Sequence, residues 1–169
     1  MQDKVEATRF LEKLDSGNGF TFQTFDDGDE EKKPLARVRH GSLEEHFPLL
    51  GQLNDRGAGI FVTVNETDLK GRKTDNIISV RAVFADLDGA PLEPVREFWL
   101  KPHIIIETSP NRWHAYWLTK ELPLDEFTNI QKIIASRFRS DPAITDRSRV
   151  MRLPGFYHCK GEPFLVRIE

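Results

Sequence analysis

Two aspartates, Asp86 and Asp88, stand i, i+2 at the end of an apolar run and are followed by Gly89. In a strand such a pair points to one face, with the carboxylates about 6.6 Å apart along the axis. So placed, they repel each other unless a cation sits between them. Hard divalent ions such as Mg²⁺ take this ligation and share it with phosphate oxygens. The same pattern also occurs as two solvated acids at a strand end, and in sugar-nucleotide transferases, so its partners decide. His114 is the first of these. It follows Ser109-Pro110-Asn111-Arg112, a turn whose N–H groups, hydroxyl and guanidinium suit a phosphate. The alternative is a structural histidine. The third group lies in residues 140–161. Arg149 and Arg152 flank an apolar pair, and Lys160 follows a Pro-Gly turn. Arginine offers phosphate a planar fork and lysine a point charge. Asp141 or Asp146 could complete a three-acid metal site. Otherwise Asp146 pairs with Arg149 on the surface and Asp141 caps a turn.

These groups need rigid elements to hold them. The apolar period predicts helices over 5–14, 43–54, 94–100 and 124–138. Ser42 is the expected N-cap of the second, with Glu45 in its first turn, and Pro48 is expected to kink or restart it. Strands are expected over 20–25, 59–64, 77–88, 103–107, 113–118, 149–153 and 164–168. Residues 108–112 have the composition of a turn. Alternation puts His114, Tyr116 and Leu118 on one face of their strand, and Trp113, Ala115 and Trp117 on the other. Interleaved helices and hairpins make the fold α+β. The best internal seam is the polar stretch 67–77.

The chain has 169 residues, 38% hydrophobic and 30% charged, with a net charge of −3. That is room for one core of ordinary size. No apolar run approaches the roughly 20 residues of a membrane span, and the first residues lack a signal-peptide core. One cysteine, Cys159, excludes an internal disulfide and fits a reducing cytosol; it is expected to be inert. The net charge leaves any polyanion site local. From Arg137 onward seven Lys/Arg face four acids, so the C-terminal quarter is the basic part. The acidic run Asp26–Glu31 reads as a solvated loop. His40 reads as surface or structural, Trp113 as packing, and Tyr157 as a residue that could stack a base.

Three segments together carry a resemblance: Phe84-Ala85-Asp86-Leu87-Asp88-Gly89, Thr108 to His114, and Asp141 followed by Arg149-Val150-Met151-Arg152-Leu153-Pro154-Gly155 and Lys160. In this order they resemble the archaeo-eukaryotic primase superfamily, closest to RepB-like primase and primase-polymerase domains of plasmids and phages. The likeness spans roughly residues 20–165. It implies an RRM-like mixed sheet carrying the active site (about 76–169), fused to an N-terminal α/β unit (about 1–75). Both would form one catalytic domain, with a helicase as a further domain or separate partner. It implies a cytoplasmic, metal-dependent nucleotidyltransferase that makes primers on single-stranded DNA from nucleoside triphosphates. The implied metal ligands for two Mg²⁺ or Mn²⁺ ions are Asp86, Asp88 and Asp141, with Asp146 as second choice. His114 is the implied nucleotide contact. Ser109, Arg112, Arg149, Arg152 and Lys160 are implied phosphate or template contacts. One departure stands out: the family carries serine two residues before the histidine, and here that residue is Arg112. The rival readings are a non-catalytic nucleic-acid-binding replication module and another metal-dependent phosphotransferase or nuclease.

Overall fold

A computed structural model describes residues 1–17, 19–28 and 34–169. Asn18, and Asp29 to Glu31 of the acidic run, lie outside the described residues.

The chain opens with helix α1 (Lys4–Leu14), capped by Asp3, whose carboxylate accepts from the Glu6 N–H. Strands β1 (Phe20–Asp26) and β2 (Arg37–Gly41) pair antiparallel. Helix α2 (Leu43–Asp55) starts at the expected cap, with the Ser42 side chain accepting from Glu45 N. It does not restart at Pro48. So early in the helix, proline removes one backbone bond and leaves later turns able to pack through Leu50 and Leu53. Strand β3 (Ala58–Thr63) pairs with β1.

The expected long strand 77–88 is two elements. A ribbon of β4 (Glu66–Thr67) and β5 (Ile77–Ser79) ends before Val80, and β6 (Ala82–Leu87) enters a different sheet. Arg81 explains the break. Its backbone N–H donates to Asn65 Oδ1 at 3.1 Å and its guanidinium meets Asp15 at 2.7 Å. These bonds turn the chain at Arg81, a polar residue inside an otherwise strand-like run.

Helix α3 (Glu93–Glu97) is short, and β7 (Ile104–Ser109) and β8 (Arg112–Leu118) form a hairpin. Asn111 takes φ 63° in its turn, a conformation Asn tolerates after the fixed φ of Pro110. Helix α4 spans Phe127–Phe138. Then come β9 (Val150–Arg152), β10 (Tyr157–His158), β11 (Phe164–Leu165) and β12 (Arg167–Ile168). The single expected strand 164–168 is broken at Val166, whose N–H donates to Phe156 O.

Two four-stranded antiparallel sheets result, ordered β2-β1-β3-β9 and β12-β7-β8-β6. The α+β class holds. Strand β9 crosses back from the C-terminal part to complete the first sheet. One buried cluster joins both sheets, with Phe10 of α1 5.4 Å from the Tyr116 ring. The Leu153-Pro154-Gly155 turn is fastened to α1, since Asp3 N donates to Gly155 O at 2.7 Å. Gly155 has φ 85°, and a Cβ there would lie 2.1 Å from the Asp3 carbonyl oxygen. Only glycine fits both demands.

Candidate active site

The two acids sit where β6 ends. β6 is an edge strand, and its outer backbone groups need partners. Gln131 of α4 supplies them: its amide accepts from Phe84 N at 2.8 Å and donates to Phe84 O and Ile144 O at 3.0 Å. Asp141 N then donates to Asp86 O at 3.1 Å. The loop carrying Asp141 is thereby hung on the strand carrying Asp86. Gln131 was invisible to sequence reasoning, because a polar residue in a helix gives no sign that it is fully buried.

Asp86 lies opposite His114 in the β6–β8 register, so the two side chains share a face. His114 Nε2 is 3.6 Å from Asp86 Oδ1, close but too long for a hydrogen bond. On the same face the Tyr116 hydroxyl lies 3.3 Å from His114 Nδ1. The expected alternation holds, with Trp117 on the opposite face stacked on Phe138.

Electrostatics tie these groups together. Burial, then the nearby charges of Asp88 and Asp141, push Asp86 up to about 6. Burial, then the Arg152 charge and the nearby His158, hold His114 down to about 3. Burial and the Asp86 charge raise the Tyr116 hydroxyl well above its ordinary value. At neutral pH the imidazole is therefore neutral and the phenol keeps its proton. The Tyr116 hydroxyl and Nδ1 share one hydrogen bond, whose donor depends on the ring tautomer, and Nε2 faces Asp86 and the pocket. Tyr116 is a second group that sequence reasoning missed; its i+2 spacing from His114 was the available signal.

The other acids differ in commitment. Asp88 lies one residue past the strand, and its carboxylate meets Arg112 at 3.0 Å, both more than half exposed. Such a pair is worth ~0–1 kcal/mol and yields readily to a stronger cation. Asp141 accepts from Ala143 N at 2.8 Å in a local turn. Asp146 is bound by Arg149 at 2.6 Å and by the Ser148 hydroxyl at 3.1 Å. Of the two candidates for the third acid, Asp141 is the one whose field reaches Asp86 and the one with no ion pair among the described residues.

A pocket of about 570 Å³ gathers Asp86, His114, Asp141, Asp146 and Arg149. From across the gap it is closed by Phe25 and Phe61 of the first sheet and by Arg72. Phe25, Phe61 and Arg72 had no motif to announce them. Arg149 Nε is buried without an acceptor, a donor suited to an anion. Ser109 lies at the hairpin end opposite Arg112 and does not line this pocket. Lys160 borders a neighbouring cavity with Asp26 and Asp27.

Arg152 lines the same pocket with its guanidinium already engaged. Its two terminal nitrogens each lie 3.0 Å from an Asp27 oxygen, and its guanidinium sits 4.7 Å over the Phe61 ring. Asp27 was read as part of a solvated run; the structure corrects this, for Asp27 is buried and also accepts from Cys159 N. His40 is hydrogen-bonded to Thr21 at 2.8 Å, a structural role. Trp113 packs half-buried with Arg96 5.9 Å from its ring. Cys159 is half-buried, with its thiol pushed up by burial, and fits inertness.

Whether the acids fit a divalent cation turns on their charge. Among the described residues no three acidic, histidine or cysteine side chains form a closed metal-binding cluster. Yet Asp86 carries two further carboxylates near enough to hinder its ionisation. That excess of negative charge fits a cation drawn in by substrate rather than a preformed cage.

A family model described as the RepB DNA-primase N-terminal domain matches residues 49–169. The catalytic domain of primase RepB′, solved in complex with initiator DNA, is similar at TM-score 0.75 and 20% identity, covering 98% of this chain and 82% of that one. The AEP domain of the cyanophage S-2L primase-polymerase is similar at TM-score 0.81 and 20% identity, covering 99% and 90%. A further structure of primase RepB′ is similar at TM-score 0.76 and 21% identity, covering 98% of this chain and 55% of that one. At these identities the likeness shows a shared fold. No curated protein sequence matches.

Proposed function

The chain belongs to the RepB DNA-primase N-terminal domain family, and we propose that the pocket between its two sheets performs the nucleotidyl transfer of a plasmid- or phage-type DNA primase. The observation that carries the reading is the pairing of a neutral, buried histidine with a carboxylate held near 6 by burial and then by its acidic neighbours. A structural ion pair has no use for that arrangement. Asp86, Asp88 and Asp141 are the proposed ligands of two Mg²⁺ or Mn²⁺ ions. Bound there, the ions would lower the pKa of the primer 3′-hydroxyl and neutralise the leaving pyrophosphate.

The chain's own groups do the rest. His114 Nε2–H donates to a phosphate or sugar oxygen of the incoming nucleotide, while Tyr116 fixes the ring. Arg149 offers its unpartnered Nε–H to the triphosphate. Arg112, now paired with Asp88, would be free to meet phosphate where Asp88 holds a cation. Phe25 and Phe61 close the wall opposite the acids and exclude water. Most of the catalysis is positioning and charge, as phosphoryl-type transfers require. The whole chain is read as one catalytic domain, at work in the cytoplasm on single-stranded DNA and nucleoside triphosphates, with a helicase as partner. Among the described residues no helix is long and apolar enough to cross a membrane.

The test is primer synthesis on mixed-sequence single-stranded DNA with labelled nucleotides and Mn²⁺. Products longer than a dinucleotide that vanish with chelator are expected. Shortened template, or no product, goes against the reading and favours a nuclease or a binding module. Tyr116→Phe tests the orienting bond. It is expected to lower kcat about 10-fold with little change in nucleotide KM, since second-layer partners of a functional histidine have effects of about 10–100-fold.

A further inference from the structure

Away from the pocket, one surface combines exposed aromatic area with cations that lack acidic partners. Trp99 is 81% exposed and Leu100 is 45% exposed. The Trp99 ring lies 5.6 Å from that of Phe98, and the Arg137 guanidinium sits 5.4 Å over the Phe98 ring. Phe98, Arg137 and Arg139 line a groove of about 580 Å³ with Pro91, Pro94 and Glu97. Two other cations nearby are committed: Arg96 is paired with Glu169, and Lys101 donates to Arg96 O. Among the described residues Arg137 and Arg139 have no ion pair. The one acid lining the groove, Glu97, leaves it with surplus positive charge in a chain whose net charge is −3.

Position supplies the second argument. Pro91 follows Asp88 by three residues, and Arg139 precedes Asp141 by two. Both acid-bearing segments therefore lead into the groove, which lies on the Trp117 side of the sheet, opposite His114. An exposed indole offers a stacking face to any base, and free guanidiniums take phosphate oxygens. The uncompensated charge of Arg137 and Arg139 does not suit the seat of an apolar partner helix.

We propose that this groove holds the single-stranded template on the far side of the sheet from the active site, with a base on Trp99 and phosphates on Arg137 and Arg139. This deepens the primase reading and rests on it for the word template. The test separates binding from synthesis. Anisotropy of a labelled oligothymidylate of about 12 nucleotides, within the span a single-strand groove tracks, is followed without metal or nucleotide. Trp99→Ala is expected to weaken binding about 10-fold, with an unchanged circular dichroism spectrum because the ring packs against little. Arg137→Gln combined with Arg139→Gln is expected to flatten the slope of log affinity against log salt by about 1.4, the effect of two single-strand phosphate contacts. Unchanged affinity and slope in both variants overturn the proposal and hand the surface to a protein partner. Trp99-dependent binding in a protein that makes no primers would leave the groove standing and remove the primase reading instead.

Discussion

Asp86→Asn is expected to cost at least about 10³-fold in primer synthesis, the scale of losing a group central to charge stabilisation, while making the metal-free protein more stable at pH 7. The two effects have one cause. The Asp86 side chain is 24% exposed and its carboxyl is raised from 3.8 to about 6. The folded chain then holds that proton more tightly than the unfolded chain. Stability from this group is full below about 3.8 and is lost as pH rises through about 6. At pH 7 the folded protein carries the cost of ionisation, at most about 3 kcal/mol. Asparagine removes the cost along with the ligand. His114 works in the opposite sense: its lowered pKa of about 3 favours the neutral ring in the fold, so stability is lost as pH falls from about 6.5 toward 3. The wild type should therefore change little between pH 6 and 4, where the two contributions oppose. Asp86→Asn should lose stability steadily over the same range. Thermal melts across pH check this, and Mn²⁺ should raise the wild-type Tm and leave the variant unmoved. A variant no more stable than wild type at pH 7 would mean that Asp86 is not held in the strained ionisation described.

Arg152→Ala is expected to destabilise the fold by about 3–5 kcal/mol, because it leaves the buried Asp27 carboxylate uncompensated. That is a large share of the ~5–15 kcal/mol holding a domain together. The pair is well made. Side-chain exposures are 10% and 2%, and both bonds are 3.0 Å. It also has space reserved for it: a Cβ on Gly59 would come within 2.7 Å of Arg152 Nη1 and of Asp27 Oδ1. Urea denaturation reads the loss. Asp27→Asn with Arg152→Met should recover most of it, since removing both charges avoids stranding either. An Arg152→Ala protein with an unchanged midpoint would return Arg152 to the phosphate role that its motif suggested.

That contrast shows how far the sequence can be read. Asp86 and His114 could be placed on strands from period-two alternation and a turn signal, whereas Asp141 was marked only by its spacing within the resemblance. Arg152 sits in the same kind of motif, but its partner is 125 residues away, and no local pattern reports a contact of that range. Strand β2 escaped notice for a related reason. Its sequence Arg-Val-Arg-His-Gly has one apolar residue, and as an edge strand it buries too little to need more. The run 77–88 misled in the other direction. Its apolar residues run on either side of Ser79 and Arg81, and the crossing between sheets at Arg81 is set by hydrogen bonds to Asn65 and Asp15. Gln131 and Tyr116 follow the same rule: a buried polar group is defined by its partners, and partners belong to the fold.

The central claim is that Asp86, Asp88 and Asp141 hold divalent cations beside the neutral face of His114. Crystals grown with Mn²⁺ and a non-hydrolysable nucleoside triphosphate test it most directly, through the anomalous scattering of manganese. The account predicts peaks within about 2.0–2.6 Å of carboxylate oxygens of Asp86 and at least one of the other two, with a phosphate or sugar oxygen in hydrogen-bond reach of His114 Nε2. Manganese bound elsewhere, with nucleotide seated away from β6 and β8, would contradict it.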